Sequence, residues 1–458
     1  METRVDEIAD RIYRLSTFMP ARQRSLVEVL LPDADKLWDP TLRRIDTLLD
    51  DEVLVDRVAT ALAQRHPESQ RRGRLGTPAN VVLRMLVLKH LHDWSFDECE
   101  REVRGSLVYR AFCRIDGERV PDAKTLIRLA HLLDEPVLKD LLAQLVARGR
   151  ERRVVKGRRL RVDTTVVETN IHYPTDASLL ADGVRVLTRA LRRLGEKVRK
   201  RTRAVGRRVF EIAQRSRTAG PRVSPKVRAQ SKARMKRLYQ ELMGITRAVL
   251  REAEGALARP RTSAAPLRTT IDLLKHVVAQ TRARVLRGDT RFPGKVVSLF
   301  EPHTEIIRKG KLAKPTEFGR VVKIQEAEAQ FITDYAVCER GQAERTLWTP
   351  ALDRHIELFD HAPRVAVADG GFASRSNERA AHDRGVRLVV LPRLARETRT
   401  RGARAALRWR TGSEGRISAL KRRHGLRRCR YRGAGGMQRW IGLGVLANDL
   451  LVLARAGP

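Results

Sequence analysis

Residues 158–170 read Arg-Arg-Leu-Arg-Val-Asp-Thr-Thr-Val-Val-Glu-Thr-Asn, and this stretch constrains the chain most. Six β-branched residues fall within its thirteen positions, and Lys156-Gly157 supplies a turn before it. It predicts a β-strand with Asp163 near its middle. Strand interiors are depleted in aspartate, and a buried carboxylate is costly unless something answers its charge. Asp163 therefore needs a partner, either one of the many arginines or a metal ion.

The charge balance bears on that choice. The 458 residues include 93 Lys and Arg against 54 Asp and Glu, a formal net charge of +39. Self-repulsion on this scale calls for a polyanion, and nucleic acid is the leading partner because each neutralised phosphate releases counterions. No unbroken apolar run of about 18 residues offers a membrane span. Met1-Glu2-Thr3-Arg4-Val5-Asp6 opens with charges and leads into no apolar segment, so the expected location is cytoplasmic. Cys99, Cys113, Cys338 and Cys429 form no CxxC pair. They read as small buried apolar residues in a reducing compartment and argue against a zinc finger.

Residues 1–75 read as an amphipathic helical region broken by Pro20, Pro32 and Pro40, with a basic linker at 70–76. Residues 76–152 read as a compact helical, DNA-binding domain. Thr77-Pro78 is expected to open its first helix, Ser95-Phe96-Asp97-Glu98 is a capping box, and Pro121-Asp122 precedes a further helix. Helix-turn-helix modules share this pattern with many helical bundles.

The strand at 158–168 opens a third domain, 153–455. A helical insertion at 180–292 interrupts it, and between Val184 and Gln240 there are 20 basic residues and two acids. So lopsided a run reads as a phosphate-binding surface. Strands then return: a short candidate at Val296–Phe300, a hairpin formed by Phe318–Gln325 and Phe331–Val337, then 364–368 and 386–391. Helices are expected near 345–360, 376–384, 405–423 and 441–451, with Gly442 and Gly444 obscuring where the last begins. Without the insertion the order is βββαβαβα, that of an RNase H-like α/β layer preceded by an all-α region.

Three acids carry the chemistry. Asp163 lies on the first strand, Asp369 follows the 364–368 strand in Asp-Gly-Gly-Phe, and Glu414 lies on the late helix. Ligand sites in such sheets lie at the carboxyl ends of the strands. Clustered carboxylates repel one another unless cations join them, and hard oxygen donors favour Mg²⁺ or Mn²⁺. Two such ions suit phosphodiester cleavage. Glu168 and Asp176 are competing carboxylates; five residues beyond Asp163, Glu168 falls on the opposite face of an ideal strand.

The Asp163-Thr164-Thr165 and Ala368-Asp369-Gly370-Gly371-Phe372 segments and the Glu414 helix resemble the acidic motifs of bacterial insertion-sequence DDE transposases. Arg410, Glu414 and Lys421 fit the signature Tyr-x2-Arg-x3-Glu-x6-Lys, whose Tyr position is Leu407 here, with Trp409 nearby. The segments 165–176 and 303–311 are most similar to the ISNCY group, and the helices around 77–128 resemble the helical domain that precedes the core in these enzymes. The resemblance implies binding of terminal inverted repeats, hydrolysis at the transposon end and transfer of the freed 3′-OH to target DNA. It implies Asp163, Asp369 and Glu414 as holders of two Mg²⁺ or Mn²⁺ ions. Arg410 and Lys421, with His303, Lys309 and Lys311, are the DNA-contacting candidates. Double-stranded DNA and a second copy of the chain on that DNA are the implied partners. The Leu407 departure leaves a non-catalytic DNA-binding descendant as the alternative. A structural RNA-binding role fits the charge but neither the acidic triad nor the 5% aromatic content.

Overall fold

The computed structural model describes residues 34–65, 76–115, 117–199, 201–258, 265–308, 315–392 and 400–456. The helical expectation for 1–33 and all but Gly76 of the expected linker lie outside the described residues. The protein is mixed α/β, mostly helical, with one mixed sheet. It divides into two compact units, Met1–Glu168 with Arg320–Pro458, and Thr169–Gly319.

Among the described residues, the first unit has seven α-helices before the sheet: α1 Pro40–Leu48, α2 Glu52–Ala63, α3 Ala79–Leu91, α4 Phe96–Gly105, α5 Leu107–Phe112, α6 Ala123–Ala130 and α7 Glu135–Glu151. Side-chain oxygens start most of them. Asp39, Asp51, Asp122 and Asp134 each accept a backbone N–H in the first turn of α1, α2, α6 and α7. The Ser95–Glu98 capping box opens α4. At α3 the expectation differs, because Thr77 does not cap; Pro78 holds the N-cap position and the helix starts at Ala79.

Helix α3 is buried nearly all round, including Arg84, Lys89 and His90. Each charge is answered where it lies. Arg84 donates to Asp46, to Asp50 at 2.6 Å and to the Phe112 carbonyl at 3.1 Å. The Lys89 ammonium lies 4.9, 5.0 and 4.6 Å from the ring centres of Phe96, Tyr431 and Trp440. Burial draws its pKa down to about 8.

The sheet is built from β1 Arg159–Thr169, β2 Glu305–Ile307, β3 Glu317–Glu326, β4 Ile332–Val337, β5 Val365–Ala368, β6 Leu388–Val390 and β7 Arg428–Cys429. In the first unit the order is β4-β3-β1-β5-β6, with β7 also against β1. β1 runs parallel to β5, and β5 to β6, while β3 and β4 are antiparallel. β1 pairs β5 with Val162 opposite Ala368. Helices α12 Trp348–Phe359, α13 Arg375–Asp383, α14 Arg401–Arg423 and α15 Gly433–Arg455 complete this unit. Ala403 and Ala406 of α14 bury against Val367 of β5 and Val390 of β6. Among the described residues no helix is long and apolar enough to cross a membrane.

Helix α15 starts eight residues before the expected Ile441 and contains both obscuring glycines. They serve close packing. A Cβ on Gly442 would meet Tyr335 Oη at 2.4 Å and Leu138 Cδ1 at 2.9 Å; one on Gly444 would meet Leu426 Cδ1 at 2.4 Å. Gly442→Ala is therefore expected to destabilise the protein by about 1–3 kcal/mol despite alanine's better helix propensity. Chemical denaturation checks this; a stabilised variant would show that the contact yields.

The second unit is a helical bundle of α8 Asp176–Arg193, α9 Thr202–Arg217, α10 Pro225–Leu257 and α11 Ala265–Thr281, with β2 antiparallel to residues 317–319 of β3. Its core is apolar, including Leu180, Leu187, Leu242, Val249 and Leu274. The Val296–Phe300 strand does not form. The side-chain amide of Gln280 takes both backbone groups of Val296, accepting its N–H and donating to its carbonyl at 3.0 Å each. Ser298 Oγ then accepts from Phe300 N–H and Glu301 N–H, which makes a turn. The short strand of this region is β2 instead.

Candidate active site

Because Val162 and Ala368 are register partners on parallel strands, the next residues, Asp163 within β1 and Asp369 just past the end of β5, lie side by side. Asp163 accepts from Thr164 N–H at 2.7 Å and from Ser413 Oγ of α14 at 2.6 Å. Asp369 accepts from Gly371 N–H at 2.8 Å. Burial raises the Asp369 pKa above its ordinary value, against the Gly371 N–H and the Arg410 charge. Glu344 and Asp163, both negative, raise it further.

Glu344 is the acid that the sequence did not single out. It lies in the turn Glu344–Leu347 before α12. One of its oxygens accepts the Thr164 hydroxyl. The other occupies the space beside Gly371, where a Cβ would come within 1.9 Å of it. In the Asp-Gly-Gly-Phe stretch, Gly371 makes room for a third carboxylate. That room was the available signal, but it points to no particular acid.

Helix α14 is held against this part of the sheet by a buried ion network. Arg161, two residues before Asp163, donates from Nε and Nη2 to Glu326 at 2.5 and 2.8 Å. Its Nη1 donates to the Trp409 carbonyl at 2.6 Å, and its guanidinium lies 4.9 Å from the Trp409 ring centre. A Cβ on Gly412 would approach Arg161 Nη1 to 2.7 Å, so Gly412 admits the guanidinium. Arg416 adds a second cation 3.4 Å from Glu326. Burial raises the Glu326 pKa, against the pull of Arg161 and Arg416.

The other expected residues are distributed as follows. Glu414 is exposed on α14, next to Ser413 and one turn after Arg410. Arg410 is half-buried, and its charge is felt at Asp369. Lys421 is half-buried near the end of α14. Leu407, at the departing position, packs on the apolar layer with Val367, Val390, Ala403 and Ala406. Glu168 faces Arg428 at 3.5 Å. Asp176, in the second unit, pairs with Arg284 at 3.1 Å. His303, also in the second unit, is 11% exposed and 3.4 Å from Glu301. Lys309 and Lys311 lie outside the described residues.

The arrangement thus brings Asp163, Asp369 and Glu344 together and sets Ser413 and Arg410 over them. Among the described residues, no group of three or more His, Cys, Asp or Glu side chains is disposed to hold a metal ion. The donor chemistry nonetheless suits a hard cation. Two carboxylates stand side by side on neighbouring parallel strands, and the pKa of one is raised in part by its acidic neighbours, a repulsion that a divalent ion would relieve.

Residues 28–132 match the family described as Transposase domain (DUF772). No curated protein and no solved structure matches the chain.

Proposed function

We propose, from the match of residues 28–132 to the Transposase domain (DUF772) family, that the chain is a DDE-type transposase of the insertion-sequence kind. In this reading it cuts DNA at the ends of its element and joins them to target DNA. The carrying observation is the pair Asp163 and Asp369 side by side, one within β1 and the other just past the end of the parallel β5, with α14 beside them. The strand order β4-β3-β1-β5-β6 supports an RNase H-like core.

Asp163, Asp369 and Glu414 are the proposed holders of two Mg²⁺ or Mn²⁺ ions. Such ions, when bound, activate a water or 3′-hydroxyl and stabilise the departing oxygen. The protein's own groups prepare the place. Ser413 and the Thr164 N–H orient the Asp163 carboxylate, and the Gly371 N–H orients that of Asp369. Arg161 fixes α14 through the Trp409 carbonyl. Glu414 shares a face of α14 with Arg410, four residues earlier, whose charge reaches Asp369. Arg410 and Lys421 are proposed to hold phosphate oxygens. His303, Lys309 and Lys311 are proposed DNA contacts on sequence grounds. The partner is duplex DNA, held through sequence-independent phosphate contacts on the 184–240 surface. Two chains act on the two transposon ends, in the cytoplasm at the nucleoid.

The test uses the purified full chain on a plasmid carrying the flanking DNA of its own gene, with Mg²⁺ or with EDTA. Glu414→Ala is expected to lose cleavage by about a thousandfold while still binding DNA. Glu344→Gln is expected to keep cleavage but to move the acid limb of its pH profile downward, because a negative neighbour that raises Asp369 is gone. Full strand transfer by Glu414→Ala, with loss in Glu344→Gln, would transfer the third ligand's role to Glu344. Binding without cleavage by the unaltered chain would select the non-catalytic alternative.

A further inference from the structure

Helix α9 presents two unlike faces. Val205 and Ile212 are buried on one. On the other, Arg203, Arg207, Phe210, Gln214 and Arg217 are all exposed. Their spacing is i, i+4, i+7, i+11, i+14, which at 100° per residue confines them to a strip about 80° wide, opposite the buried pair. Phe210 is 66% exposed at its centre.

Ion pairs sort the remaining charges and fix the helix's rotation. Arg208 Nε donates to Glu241 at 2.8 Å, and Glu211 accepts from Arg234 Nε at 2.7 Å. Both pairs tie α9 to α10. The acid on α9 is therefore used inward, and the outward strip carries arginines, one amide and one aromatic ring.

We propose that this strip of α9 enters the major groove of duplex DNA and reads bases there. Gln214 and Phe210 would be the reading residues, with Arg203, Arg207 and Arg217 on flanking phosphates. Charge complementarity argues for the occupant: the surrounding 184–240 segment holds 20 basic residues and two acids. An α-helix about 10–12 Å across fits a groove about 12 Å wide. The strip's fourteen-residue span is about 21 Å, the length of roughly six base pairs. A glutamine amide can bond adenine's N6 and N7, and an aromatic ring can contact a thymine methyl. The proposal rests on the DNA-binding reading above and goes beyond it, since there this surface only holds phosphates.

The experiment measures binding of the full chain to transposon-end DNA and to a shuffled duplex of equal length across a salt series. The unaltered chain should prefer the end DNA. A Phe210→Ala, Gln214→Ala double variant should lose about tenfold or more on end DNA, hold its affinity for shuffled DNA and keep its salt slope. Arg207→Ala should weaken both equally and reduce the slope by about one. Equal weakening by the double variant on both duplexes, or no effect on either, would overturn this proposal alone; no preference in the unaltered chain would overturn it and count against recognition of the element's ends as well. Failure of the unaltered chain to bind any DNA would overturn the transposase reading as well.

Discussion

Asp369→Asn is expected to cut metal-dependent cleavage of transposon-end DNA by about a thousandfold and leave the fold intact. Asparagine has nearly the shape of aspartate and keeps an oxygen for the Gly371 N–H. What it removes is a negative charge beside Asp163 and Glu344, which the fold holds at a cost. The sign of that cost can be read from the pKa. A carboxyl raised in the folded state binds its proton more tightly there than in the unfolded chain. Its contribution to stability is therefore greatest at low pH and falls as pH rises through the unfolded value toward the folded one. At neutral pH the variant should be at least as stable as the unaltered protein, while its cleavage collapses. Melting curves and a cleavage assay on the same preparation check both halves. Near-normal cleavage would remove Asp369 from the site.

Glu326→Ala should act in the opposite sense, on the fold first. The change leaves Arg161 buried without its two-pronged partner and takes the shared anion from Arg416. Breaking a buried pair from one side costs about 3–5 kcal/mol. Because Arg161 also fixes the Trp409 carbonyl, α14 should lose its seat and cleavage should fall with stability. Replacing Arg161 and Glu326 together with apolar residues should recover part of the stability, since Arg161 no longer stands alone and Arg416 keeps its hydrogen bond to Asn448. Denaturant midpoints for the single and double variants check this. A single variant within about 1 kcal/mol of the unaltered protein would show that water answers the Arg161 charge.

The sheet was legible because its strands carry dense β-branched runs with punctuation at their ends. Asp163 on the first strand and Asp369 after the 364–368 strand were legible as acids of the sheet; that the two strands pair with these residues abreast is shown by the register. Two features were hidden for physical reasons. Val296-Val297 has strand-forming residues, but Gln280, sixteen positions away, satisfies the backbone of Val296 and no ladder forms. Glu344 sits in a turn with no motif, and its nearness to Asp369 shows only through Thr164 and the empty side of Gly371. Arg161 was one arginine among many; a tertiary contact 248 residues along the chain, to the Trp409 carbonyl, makes it the residue that seats α14. Local pattern encodes elements and their order. Side-chain contacts between distant elements, where this site gets its third carboxylate and its helix anchor, leave no local signature.

The cysteines were expected to be buried and to belong to a reducing compartment. All four are buried. Burial raises the pKa of Cys113 and Cys338, and brings that of Cys99 to about 12. Thiolate is the form that oxidants and disulfides attack. While the core is closed, Cys99, Cys113 and Cys338 are therefore held in the form that oxidants attack least, and opening of the core would expose them.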